Sequence, residues 1–162
     1  MGAWLCQGNE RDRFPISEYL RIGYNRKEEI QWLIGKDSMP IRAGERVFMW
    51  RTEGGRPGTG GVVAIGSVSR VPHQAQNDVP EMWYDSEDPG ATDSHLWRIR
   101  MLLEEVRLTP DAGMVRRVDL KGDPDLRDLC ILKRSQGVSC CAVTDRHERA
   151  LLERWNAKKS RR

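Results

Sequence analysis

Hydrophobic positions along the chain fall in short alternating runs punctuated by glycine, proline and asparagine, the pattern of strands joined by turns. Ala3 to Cys6 reads as a first strand that opens into Gln7-Gly8-Asn9, where glycine and asparagine supply turn chemistry. Ser17 offers a helix N-cap behind Pro15, and Tyr19, Leu20 and Gly23 suggest one or two helical turns stopped by the glycine. Ile30 to Ile34 is a short apolar element closed by Gly35. Arg46 to Arg51 sets Val47 and Met49 on one face and Phe48 and Trp50 on the other, so both faces of this strand are expected to be covered. Gly61 to Ser69 is its partner. Trp97 to Leu108 alternates until Glu104-Glu105, where the phase slips and a β-bulge is predicted. Val115 to Leu120 leads to Asp123-Pro124, the start signal of a short helix through Leu126, Leu129 and Cys130. Ser139 to Val143 is the last strand. Thr144 or Asp145 caps a terminal helix, Asp145 and Glu148 resembling a capping box, with His147, Leu151, Leu152 and Trp155 on its inner face.

Two connections break the pattern. Thr52 to Gly60 is rich in glycine, but it lacks the Gly-Lys-Ser/Thr of a phosphate loop, and a strand rather than a helix follows it. It reads as a long hairpin loop. Val71 to Leu96 carries Pro72, Pro80 and Pro89 with no sustained period, and so long an irregular segment usually has a use. Met82-Trp83-Tyr84 at its middle either folds back over the sheet or faces a ligand.

Composition sharpens this picture at three points. Six tryptophans outnumber the two phenylalanines and three tyrosines together, and five of them, Trp4, Trp32, Trp50, Trp83 and Trp97, precede residue 100. Indoles beside arginines suit an unstacked base, although bulky core packing is their commoner employment. The net charge of +3 is unevenly spread, with acids gathered between Asp78 and Asp93 and Lys158, Lys159, Arg161 and Arg162 closing the chain. This permits an anionic partner. Cys6, Cys130, Cys140 and Cys141 show no Cys-x-x-Cys pair, and His73, His95 and His147 are not spaced as ligands. Structural zinc and a disulfide framework are therefore not expected, and the compartment reads as reducing and cytoplasmic. In a strand, Cys140 and Cys141 would point to opposite faces. No apolar run approaches the ~20 residues of a membrane helix.

The succession Ala3-Trp4-Leu5-Cys6-Gln7-Gly8-Asn9, then Ile41 to Arg51, then Gly60 to Val68, and finally Leu126 through Thr144 with its acidic-capped helix, resembles the EVE domain of the PUA-like superfamily, a relative of the YTH and ASCH domains. The resemblance covers most of the chain. It implies an α+β fold, a small curved β-barrel flanked by helices, as a single domain over residues 1–157, with 158–162 a basic tail or the onset of a linker. It also implies a pocket for a modified nucleobase; no residue pattern for a catalytic metal is present, and no cofactor is expected. EVE-like modules of bacteria are often joined to nucleases that restrict modified DNA, while YTH relatives read methylated adenine in RNA. By position, Trp32 resembles the aromatic residue that stacks on the base in YTH-type pockets, and Gln7 and Asn9 fall where the first strand opens onto it. The chain departs from the pattern in its long hairpin loop and in Arg56-Pro57 at the tip.

The leading expectation is a reader of modified cytosine, 5-methylcytosine above all, flipped out of double-stranded DNA. Trp32 would stack, Trp83 or Trp50 would form a second wall, and Gln7 or Asn9 would bond the base edge, since amides both donate and accept. Asp37, Asp85 and Glu87 are candidate acceptors for the cytosine amino group. Arg51, Arg56, Arg70, Arg98 and Arg100 are candidate phosphate contacts. A reader of modified RNA is the sister reading. An ASCH-like amidohydrolase would need a lysine, a hydroxyl and a carboxylate together, and Lys36, Thr52 and Glu53 are the candidate set. A protein-interaction module without a base ligand is the third. A fused or partner nuclease would supply chemistry that the chain lacks.

Overall fold

In a computed structural model, which describes residues 2–133 and 139–159, the alternating segments join into one mixed sheet. Its strands are β1 (Ala3–Asn9), β2 (Ile30–Leu33), β3 (Arg46–Thr52), β4 (Gly61–Gln74), β5 (Trp97–Val106), β6 (Val115–Arg116) and β7 (Cys140–Val143). The order is β2-β5-β4-β3-β1-β7, with β6 added to β4. β1 and β3 run parallel, and every other pairing is antiparallel. Register shifts between Met49 and Trp50, between Ile65 and Gly66, and twice more along β4 each bend and twist the ladder, so the sheet curls into a half-barrel. The shift opposite Ile65 and Gly66 skips Glu104, which places the bulge where the alternation slips.

Five helices flank the sheet: α1 (Ile16–Arg26), α2 (Pro89–Thr92), α3 (Arg117–Lys121), α4 (Cys130–Lys133) and α5 (Asp145–Lys159). Both faces of the central strands are covered. Trp4, Cys6, Val47 and Met49 join Leu20, Trp32, Ile99 and Met101 in the core inside the curl. Leu5, Phe48 and Trp50 belong to a second core on the outer face, completed by Leu126, Leu129, Leu151 and Trp155. The two-sided burial expected for β3 therefore holds. This is the small α+β architecture expected from the sequence.

Four local expectations are corrected. Ser17 lies inside α1 behind Pro15, and its N–H and hydroxyl both donate to Glu10, at 3.0 and 2.7 Å. The helix runs past Gly23 and ends where Lys27 takes the left-handed conformation, φ 55°. Asp123-Pro124 starts a chain of turns rather than a helix, with Leu126, Leu129 and Leu132 each donating a backbone bond three residues back. β4 continues to Gln74 because its later residues still find partners, His73 opposite Arg98 and Gln74 opposite Trp97. Of the two candidate caps for α5, Thr144 makes the capping bond, accepting from the His147 N–H at 3.2 Å.

The expectation of four reduced thiols is also corrected. Cys6 is bonded to Cys140, and Cys130 to Cys141. β7 pairs beside β1 with Cys6 opposite Cys140, so a separation of 134 residues in sequence becomes a cross-strand contact. The neighbouring cysteines do point to opposite faces: Cys140 packs in the inner core and Cys141 against the outer one. α5 includes Lys158, whose ammonium lies 3.3 Å from Asp119, while residues 160–162 lie outside the described residues.

Candidate functional site

The curl leaves a cavity of about 770 Å³ beside the ends of β1 and β3, with β2 coming round to face them. Trp32 packs closely on β1 at Gly8: a Cβ there would lie 2.7 Å from the Ile16 side chain and 3.0 Å from the Trp32 ring, so both would have to shift. That close approach, rather than a turn, is what Gly8 provides.

Aromatic rings form the apolar wall. Trp32 is 4% exposed and Trp83 7% exposed, and both line the cavity. Phe14 touches both. It meets Trp32 edge-on with centroids 5.6 Å apart, and lies tilted by 31° to Trp83 at 5.0 Å. The cavity therefore has a three-ring cluster where two indole walls were expected. Phe14 escaped the sequence reading because it sits in a polar loop. A signal was present, however: it immediately precedes the cap of α1 and packs on Tyr19 at 5.8 Å, the arrangement of a hydrophobic staple.

The segment between β4 and β5 carries Trp83 to this wall. Arg13 holds it from one side, with its Nε 3.0 Å and its second nitrogen 2.5 Å from the Asp88 carboxylate, and with its guanidinium 5.0 Å from the centre of the Trp83 ring. Arg98 holds it from beneath, donating to the carbonyls of Ala75 and Gly90. A side chain at Gly90 would collide with the Trp83 ring and the Arg13 guanidinium. Gln31 adds a third tie, donating to the Gln76 carbonyl at 3.1 Å and accepting from the Asp78 N–H at 3.1 Å. The hydrogen bond from Arg13 holds the Asp88 carboxyl below the usual carboxylate range. Burial lowers the Arg98 guanidinium from its ordinary value and raises the Tyr19 phenol.

The polar lining is mixed. Gln7 and Asn9 from β1 line the cavity, as do Asp12 and Glu53 and the hydroxyl-bearing Thr52 and Ser139. The Thr52 hydroxyl oxygen is buried and has no hydrogen-bond partner among the described residues. Trp32, Trp83, Gln7 and Asn9 are thus brought together. Trp50 is not: alternation along β3 turns it into the outer core, where it is 1% exposed. Asp37 lies exposed on the single turn Lys36–Ser38, away from the cavity lining, and Asp85 and Glu87 lie in an exposed turn. Lys36 stays with Asp37, so the lysine-hydroxyl-carboxylate set does not assemble.

The candidate phosphate contacts divide in the same way. Arg51 donates to Thr59, Ser17 and Leu108 and fixes the hairpin base. Arg98 is spent on carbonyls, and Arg100 pairs with Asp78 at 3.2 Å. Arg56 and Arg70 are exposed. Arg117 lines the cavity and was not foreseen, since it stands in a run of charge with no feature to distinguish it.

No protein-family model and no curated protein matches the chain. Solved structures do. A hypothetical protein from Leishmania major superposes with a TM-score of 0.71 at 13% identity, covering 98% of this chain and 97% of its own. The human THYN1 protein, solved in complex with 5-methylcytosine-containing DNA, gives 0.65 at 12% identity over 96% of this chain and 98% of that one. The DUF55 domain of human thymocyte nuclear protein 1 gives 0.61 at 10% over 97% and 98%. The chain shares their fold. Among the described residues no cluster of three or more metal-ligating side chains occurs, and no described helix is long and apolar enough to cross a membrane.

Proposed function

We propose that the chain reads a modified cytosine in DNA, 5-methylcytosine first, by drawing the flipped base into the cavity against Trp32. The observation that carries this is the cavity itself, in which aromatic rings, amides and carboxylates converge at the open side of the half-barrel. The structural neighbour solved with methylated DNA lends it support. Flipping costs a few kcal/mol of pairing and stacking, and each stacked aromatic face returns about 1–3 kcal/mol, so the cluster and edge hydrogen bonds balance it. Asp12 and Glu53 take the acceptor role toward the exocyclic amino group that Asp37 is too distant to fill. The methyl adds about 0.8 kcal/mol by burial, so selectivity rests on shape around it. In this reading the chain recognises and does not catalyse, and a fused or partner nuclease provides the output.

Binding to one short duplex carrying cytosine, 5-methylcytosine or 5-hydroxymethylcytosine, at two salt concentrations and with Trp32→Ala alongside, tests the proposal. Preference for a modified base that the variant loses is expected. Equal weak binding to all three would overturn it and turn attention to modified RNA.

A further inference from the structure

The cavity is larger than a base needs. At about 770 Å³ it has the dimensions of sites that take whole drug-sized ligands, which leaves room for the sugar and a phosphate of the flipped nucleotide. Three arginines line it, and two of them are already engaged within the fold. Arg13 is committed to Asp88, and Arg98, 1% exposed, to the carbonyls of Ala75 and Gly90. Arg117 differs: among the described residues its guanidinium has neither an ion pair nor a hydrogen bond, and it is only partly buried.

Its backbone is nevertheless fixed. Asn9 pairs with Thr52 across β1 and β3, and Arg51 with Gly61 across β3 and β4. Gly61 in turn pairs with Arg116, and the Arg117 N–H donates to the Gly60 carbonyl at 2.9 Å. One level of the sheet therefore runs Asn9, Thr52, Gly60, Arg117. It ends in an uncommitted cation and contains the buried Thr52 hydroxyl, unpartnered among the described residues. Both Thr52 and Arg117 line the same cavity.

We infer that Arg117 forms a phosphate subsite at this cavity, holding a phosphate of the nucleotide whose base enters beside Trp32. The inference rests on the proposed base-reading function and extends it from base to nucleotide. Guanidinium suits the task because its planar fork offers paired donors to phosphate oxygens, whereas Lys at the same place would supply only a point charge. The Glu53 and Asp12 carboxylates, which line the cavity too, oppose a phosphate, so Arg117 must outweigh them for the nucleotide to bind.

The test compares 5-methyl-2′-deoxycytidine with its 3′- and 5′-monophosphates, each titrated into the whole chain and followed by tryptophan fluorescence and NMR shifts. One of the monophosphates is expected to bind about tenfold more tightly than the nucleoside, as a charge-assisted contact implies. Arg117→Ala should abolish that advantage while leaving nucleoside affinity unchanged, and Arg117→Lys should keep part of it. Equal affinity for nucleoside and both monophosphates would overturn the subsite, as would an advantage that survives Arg117→Ala. If neither the nucleosides nor methylated duplex bound at all, the base-reading function itself would fall and the subsite with it.

Discussion

Among the described residues two arginine–tryptophan pairs are built from the same parts for different ends. At the cavity, Arg13 lies 5.0 Å from the centre of the Trp83 ring and ion-pairs with Asp88. In the outer core, Arg107 lies 3.9 Å from the centre of the Trp155 ring and pairs with Glu105 at 2.9 Å. The outer pair is closed: the Arg107 side chain has no exposure, and it also donates to the carbonyls of Gly113 and Trp155, while the Trp155 indole donates to Glu105 at 3.2 Å. The Arg13 side chain is 41% exposed, and its tryptophan borders a cavity. Burial of the indole does not separate them, since both are nearly inaccessible. What separates them is the surroundings of the ring. One is enclosed by the side chains of a finished core, and the other by a segment that bridges the open side of a half-barrel.

Breaking the closed pair should have the largest effect. Glu105→Ala leaves a guanidinium with no exposure and without its carboxylate, and should cost about 3–5 kcal/mol in urea unfolding. Ligand affinity of the folded fraction should be untouched. Truncating the two indoles sharpens the contrast. Trp155→Ala should remove about 3–5 kcal/mol of stability, whereas Trp83→Ala should cost less stability but weaken modified-base binding by about 1–3 kcal/mol. Equal stability losses with no change in binding would make Trp83 mere core. The smallest effect concerns the charge at the open pair. Because Arg13 depresses the Asp88 carboxyl, its stabilisation is present above the unfolded carboxylate value and is lost as pH falls through the lower folded one, hence below about pH 4. Asp88→Asn keeps an acceptor for the Gly90 N–H but loses the charge. It should be less stable than the parent by under about 1 kcal/mol at neutral pH, the pair being partly exposed, and the difference should vanish in that acid window. A difference that persists at pH 2 would refute the ion pair as its cause.

Alternation was enough to locate the strands and to assign the faces of β3, because a side chain's face follows from the parity of its position. It also located the Glu104 bulge and set Cys140 and Cys141 on opposite faces. Helix ends were less legible. Ser17 has the chemistry of a cap, but Glu10 captures both its donors, and no local rule shows a partner seven residues back. The lining of the candidate cavity was legible where it lies on strands, at Gln7, Asn9 and Trp32, and less so where loops build it. Phe14 and Arg117 acquire their places from contacts with distant segments, as does Asp88. In sequence, Trp50 and Trp83 are both candidates for the second wall of the pocket. Which one reaches the cavity depends on the direction of the curl.

The sequence by itself determined the strands, their two-faced burial and the abundance of indole and guanidinium from which a base site can be made, since these follow from local periodicity and composition. Only the tertiary structure decided which indoles border a cavity and which are sealed, which of the cavity's arginines are spent on partners among the described residues and which is not, and that Cys6 meets Cys140. The reason is physical: these outcomes depend on strand order and on the curvature summed over several register shifts, and both are properties of long-range pairing that no local stretch of the chain encodes.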